Sequence, residues 1–271
     1  MAFVYLATHT VIDRPVAIKR LLPELAGHPD AHRLFLREAR IAGSIRHPHV
    51  VEIFDFGYDT LGRPYYVMEL AAGDTLAQRL AQGPILLSQA LDVAIAVTDA
   101  VSAVHRAGYV HRDVKADNVM LARDDRRLVP KLIDFGIACH TGTAGVEGIV
   151  EGVAGTPRIM APEQVAREPV DARTDVWAIG VLLYEMIAGR LPFAPGATVR
   201  DDLLAIVTEP AHPLPDALHP AVRGVVEACL SKDPDERPAS AESLIEQLRA
   251  AQDAYLCSRG MIARRWRPTH T

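Results

Sequence analysis

His111-Arg112-Asp113-Val114-Lys115-Ala116-Asp117-Asn118 packs a carboxylate, a lysine and an amide into six residues, 113 to 118. An apolar helical run precedes this octet and a short apolar run, 119–121, follows it, so it occupies a loop between regular elements. The carboxylate of Asp113 can accept a proton or hydrogen bond from a hydroxyl. Lys115 can neutralise charge that moves past it, and the carbonyl oxygen of Asn118 can ligate a hard cation. Taken alone, the same residues equally describe a charged surface turn.

Two further stretches give the octet company. Downstream, Asp134-Phe135-Gly136 follows the apolar run 131–133. An Asp at a strand end before a Gly is often a turn initiator; as a magnesium ligand it would hold charge near phosphates. Upstream, Val16-Ala17-Ile18-Lys19 ends a strand with a lysine, a position more often taken by a snorkelling surface residue. Nineteen positions later Glu38 lies on a predicted helix, and a Lys19–Glu38 ion pair between sheet and helix would hold the lysine toward a phosphate. Phosphoryl transfer needs cations on the phosphates, groups that hold those cations, and one group that orients the acceptor hydroxyl. Each requirement has a candidate here.

Periodicity divides the chain in two. Residues 3–7 and 16–19 predict a hairpin around a polar turn at Asp13 and Arg14. Residues 29–44 predict a helix, with Leu34, Phe35, Ile41 and Ile45 at helical spacing. Residues 50–56 and 64–69 predict two more strands, and Gly73 marks a break. Beyond it, 91–106 carries apolar residues at 91, 94, 97, 101 and 104, a helical period that Gly108 ends. Residues 137–158 hold five glycines and few bulky apolar residues, so they predict a long loop. From Thr174 the chain is mainly helical, with proline-rich breaks at 192–195 and 210–220. The expected architecture is α+β and bilobal: a β-rich lobe over 1–70, a hinge at 69–73, a larger helical lobe over 74–250, and a basic tail over 251–271.

Composition narrows the class. The 271 residues are 49% hydrophobic and 23% charged with a net charge of −5, an ordinary globular balance. That charge argues against nucleic-acid binding, although Arg259, Arg264, Arg265 and Arg267 cluster near the end. Three widely spaced cysteines, Cys139, Cys229 and Cys257, imply no disulfide framework. The run 176–188, interrupted by Glu185, is too short to span a bilayer, and the first residues lack a signal-peptide pattern. A reducing, cytoplasmic setting is expected.

VAIK at 16–19, HRDVKADN at 111–118, DFG at 134–136 and Ala161-Pro162-Glu163 occur in the order and rough spacing of protein kinases. Over about residues 2 to 250 the chain resembles the eukaryotic-like, Hanks-type serine/threonine protein kinases of bacteria. Lys115 two residues after Asp113, and Gly155-Thr156-Pro157 before the APE, resemble the Ser/Thr class. The resemblance implies signal transduction by transfer of the ATP γ-phosphoryl group to Ser/Thr hydroxyls of proteins, with autophosphorylation. It implies Asp113 as catalytic base, assisted by Lys115. It implies Lys19, paired with Glu38, on the α/β-phosphates, and Asn118 and Asp134 on Mg2+, with Mn2+ able to substitute. Met68 matches the gatekeeper, and the hinge backbone of Glu69 to Ala71 would bond adenine, with Val4 and Ala17 packing on the ring. Thr156 would shape the acceptor site, Asp175 would buttress the catalytic loop and Glu163 would pair with Arg237. Arg112 would receive a phosphate carried by Thr141 or Thr143. A homodimer is compatible with the family, and no membrane partner is implied for this segment.

The chain departs from the family at its start. Val4 matches the valine of the glycine-rich loop, but Ala2 stands where its third glycine belongs. The expectation is that the first strand and most of that loop lie upstream of Met1; a truncated chain with impaired nucleotide binding is the alternative. Ala116 replaces a proline and Ile159 an aromatic residue, and neither removes a catalytic group. An inactive scaffold of the same fold competes with the enzyme, yet Lys19, Glu38, Asp113, Asn118 and Asp134 are all present. A small-molecule kinase also competes, and the APE and GTP segments argue for a protein acceptor.

Overall fold

The computed structural model describes residues 2–124, 127–135, 138–140 and 157–260. The first lobe is a four-stranded antiparallel sheet formed by β1 (Ala2–His9), β2 (Arg14–Leu21), β3 (Ile53–Tyr58) and β4 (Pro64–Glu69), in the order β1-β2-β4-β3. Helix α1 (Pro29–Ser44) packs across it. Strand alternation sends Tyr66 and Met68 of β4 inward, where they meet Phe35 and Ala39 of α1 with Ala17 and Leu21 of β2. Val4 and Tyr66 flank Lys19 on either side in the register, which fixes the lysine between them.

The predicted strand 50–56 begins later than expected. Val51 donates to the carbonyl of Leu132 (3.0 Å), and Leu132 donates to His49 (2.9 Å). These residues therefore tie the first lobe to the second before the chain enters β3, whose register then shifts at Ile53/Asp55.

The second lobe is built on α3 (Leu87–Arg106) and α5 (Ala172–Ala188), which pack on each other. α3 begins four residues before its predicted start, because its first turn follows Leu86 with no side-chain cap to announce it. It is long and apolar enough to cross a membrane, but 67% of that window is buried inside the protein. Helices α7 (Pro220–Cys229) and α8 (Ala241–Ser258) complete the core. The boundary expected at 250 falls inside α8, because Ala251 is buried and Tyr255 packs on the core. Short elements went unpredicted: α2 (Leu76–Ala81), capped by a reciprocal Thr75–Gln78 pair, α4 (Pro162–Ala166), and the paired strands β5 (Tyr109–Val110) and β8 (Cys139–His140). The apolar runs 119–121 and 131–133 fall at β6 (Val119–Asp124) and the end of β7 (Arg127–Leu132), which pair antiparallel, and α6 (Val199–Thr208) follows the first proline-rich break. Of the loop expected at 137–158, residues 138–140 and 157–158 are described: Ala138 precedes β8 (Cys139–His140), and 157–158 open a 3-10 turn. Thr141, Thr143 and Thr156 lie outside the described residues.

Two constraints hold the lobe's frame. A Cβ at Gly73 would sit 2.2 Å from the Leu121 carbonyl oxygen, so only glycine lets the connecting segment approach β6. Glu163 takes two hydrogen bonds from the Arg237 guanidinium (2.8 and 2.9 Å) and one from the Thr174 hydroxyl (2.8 Å), with both charged residues buried. Removing one partner of such a pair leaves a charge without compensation. Arg237→Ala is expected to lower the unfolding free energy by about 3–5 kcal/mol, seen as a lower urea midpoint; an unchanged midpoint would show that the pair does not hold the lobe.

Candidate active site

Lys19 reaches inward from β2 and donates to Glu38 Oε1 at 2.5 Å, with Asp134 Oδ2 at 3.4 Å. Tyr66 donates its hydroxyl proton to the same Glu38 oxygen at 2.6 Å. Two donors on one oxygen satisfy a carboxylate that is 2% exposed. Burial opposes the charge of Lys19, but Glu38 and Asp134 outweigh it and raise its pKa above the ordinary lysine value. Burial and Glu38 push the Tyr66 phenol well above its usual range, which keeps it a donor. Lys19 therefore stands as a fixed ammonium at the junction of the two lobes.

The second cluster sits on the loop after β5. Asp113 accepts Lys115 Nζ on both oxygens (3.0 and 2.8 Å). Asn118 donates Nδ2 to Asp113 Oδ2 and to the Asp113 carbonyl, each at 2.9 Å. A 3-10 turn over Ala116–Asn118 brings the amide back onto Asp113. The Ile133 N–H donates to the Asn118 carbonyl (3.0 Å), so Asn118 lies beside the residue that precedes Asp134.

This donor set fits a magnesium ion. Asn118 spends its N–H donors on Asp113, and its amide oxygen is the end left for a cation. Asp134 supplies a carboxylate that is 38% exposed. Among the described residues no three His, Cys, Asp or Glu side chains form a closed metal site. Mg2+ is usually held by one or two carboxylates, completed by phosphate oxygens and water, and Asp134 with the Asn118 amide oxygen leaves room for that completion.

The remaining predicted residues fall around these clusters. Ala17 and Met68 are buried beneath the sheet, whereas Val4 is 59% exposed. The Glu69 carboxylate turns to Lys131 (2.8 Å), and its N–H bonds the Glu52 carbonyl. Ala71 follows in the connecting segment, before Gly73. Asp175 accepts the N–H groups of His111 (2.8 Å) and Arg112 (2.7 Å), and His105 Nε2 lies 2.7 Å away. Sequence reasoning missed Tyr66 and His105. Tyr66 is announced only by strand register, which spacing along the chain does not give. His105 is the penultimate residue of α3, eight residues before Asp113. A cavity of about 550 Å³ lies elsewhere, between residues 210–214 and the segment from the end of α7 to Glu236, and includes none of these residues.

A family model described as the protein kinase domain matches residues 1–248. A probable serine/threonine-protein kinase of Streptomyces coelicolor is 38% identical over 260 residues, which covers 93% of this chain and 38% of the relative. The serine/threonine-protein kinase PksC of the same organism is 37% identical, covering 91% and 46%. The serine/threonine-protein kinase pkn2 of Myxococcus xanthus is 35% identical, covering 94% and 31%. The chain thus spans less than half the length of these relatives.

His111 carries a pH signature. Burial holds its imidazole below the usual histidine range, so it is neutral in the folded chain. Below histidine's ordinary pKa of about 6.5 the unfolded chain binds the extra proton first. The stability this gives is whole above that pH and falls as pH drops beneath it. The urea midpoint should decrease from pH 7.5 to 5.5, and decrease less in His111→Gln. Equal decreases would remove His111 as the source.

Proposed function

Because the chain belongs to the protein kinase domain family, we propose that it transfers the γ-phosphoryl group of ATP to Ser or Thr hydroxyls of proteins. One observation carries this: Lys19 is held by Glu38 and faces Asp134, while Lys115 and Asn118 converge on Asp113. The first group is suited to phosphate charge and the second to an acceptor hydroxyl.

In this reading Lys19 binds the α/β-phosphates, and Glu38 with Tyr66 keeps the ammonium aimed. Asp113 orients the acceptor hydroxyl and takes its proton. Lys115, already on both Asp113 oxygens, offsets the negative charge that passes between donor and acceptor. Asn118 and Asp134 would hold Mg2+, with Mn2+ able to substitute, and the ion would supply positive charge to the phosphate oxygens. The buried Met68 and Ala17 wall the adenine side, with Val4 above the ring and the Glu69 to Ala71 backbone at its edge. The lobe expected over 1–70 and the lobe expected over 74–250, which α8 carries on to Ser258, act as one catalytic unit. The cysteines are free, and Cys139 and Cys229 are buried, which supports a reducing cytoplasmic setting. Against an inactive scaffold stands the presence and pairing of every polar residue the chemistry needs.

Incubation with labelled ATP, Mg2+ and a generic acceptor protein tests the proposal. Label should appear, disappear with a chelator, and fall about 10²- to 10⁴-fold in rate in Asp113→Asn, the range for loss of a general base. Equal labelling by Asp113→Asn would overturn the assignment of Asp113, and no labelling would favour the scaffold.

A further inference from the structure

Resting on the kinase reading above, we propose that Arg37 is a positioning residue for phosphoryl transfer, tying α1 to the backbone that follows Asp134-Phe135. Its Nη2 donates to the Ala138 carbonyl oxygen at 2.5 Å across 101 positions of sequence. Nothing in the reaction itself calls for this contact.

What Arg37 grips is continuous with the catalytic loop. Ala138 is 2% exposed, and its own N–H closes a turn onto the Phe135 carbonyl at 3.1 Å. The next residue, Cys139, is buried and pairs with Val110 of β5. Val110 leads directly into His111, whose ring packs on Phe135 with centroids 4.9 Å apart. The Ala138 carbonyl is therefore one corner of a short closed circuit: Phe135, Ala138, Cys139, Val110, His111 and back to Phe135.

The other end of Arg37 matters as much. It is adjacent on α1 to Glu38, which holds Lys19. Successive helical residues project about 100° apart, so α1 meets the site in two directions at once. Glu38 takes the lysine of the first lobe, and Arg37 takes the main chain of the second. A rotation of α1 that kept one contact would strain the other. Because the acceptor is a backbone carbonyl, Arg37 senses where the chain runs after Asp134 rather than which side chain stands there. A guanidinium is suited to this, since its charge strengthens the bond and its planar fork limits the freedom it loses.

Arg37→Ala and Arg37→Lys test the role by two readouts. In Arg37→Ala, kcat/KM for ATP should fall about tenfold, as expected for loss of a hydrogen bond from a charged donor, and Arg37→Lys should recover much of it. Amide hydrogen exchange should accelerate at 138–140 and 109–110 in Arg37→Ala and stay unchanged in α8. A lower unfolding midpoint with unaltered kcat/KM would make Arg37 merely structural and overturn the proposal. If the unsubstituted chain transfers no phosphate, the kinase reading fails by itself, and the exchange measurement still decides the coupling. Unchanged exchange at both strands would overturn it.

Discussion

The catalytic loop rests on one buried carboxylate. Asp175, wholly inside the second lobe, receives the N–H groups of His111 and Arg112 and contacts His105 Nε2. Burial alone would push this carboxyl up, yet the His105 contact and the Arg112 N–H hold it below the usual aspartate range. The loop it grips is not relaxed. Arg112 has φ +70°, a left-handed conformation that a bulky side chain adopts only under constraint; such residues cost of order 1–3 kcal/mol. Two hydrogen bonds to a charged acceptor are large enough to offset that cost. The strained turn at Arg112 is what delivers Asp113, the next residue, toward Lys115 and Asn118.

Asp175 itself is placed by α5, which is buried along most of its length between α3 and α7. A helix apolar all round belongs in a core, so its one buried acid must be satisfied where it stands. The acceptor-side cluster is therefore a consequence of packing in a single lobe. Lys19 and Glu38 have a different origin. Their sheet and helix share a small core around Phe35, Tyr66 and Leu21. They meet Asp134 only because separate ties bring the lobes together: Val51 to Leu132, Lys131 to Glu69, and the close approach of Gly73 to Leu121.

Much of this was legible in the sequence. The motifs at 16–19, 111–118 and 134–136 pointed to the side chains that the fold brings together, and the change in period near Gly73 marked the passage from strands to helices. The details that escaped share a physical cause. Tyr66 bonds Glu38 because of strand register, and Val50 leaves β3 because Leu132 competes for its segment. Arg37 finds Ala138 more than a hundred positions away in the chain. Each is a long-range pairing, which local periodicity does not encode. α3 began early for the opposite reason: Leu86 offers no capping side chain, so nothing local marked the start. The expected tail at 251 overlooked that Ala251 and Tyr255 continue the apolar face of α8.

The unequal support of the two clusters bears on how the protein works. Asp113, Lys115 and Asn118 are bonded to one another within six residues and anchored to the larger core, so their geometry survives as long as that lobe is folded. Lys19 depends on Glu38 and Glu38 on the seating of α1, which rests on apolar packing in both cores, Phe35 and Ala39 in the smaller and Ile41, Ala42 and Ile45 in the larger, with the Arg37–Ala138 contact added. The Lys19–Glu38 pair is itself buried, so the loss of either partner leaves a charge without compensation. A displacement of α1 would therefore reach Lys19 through Glu38, while Asp113 keeps its bonds to Lys115 and Asn118 within the second lobe.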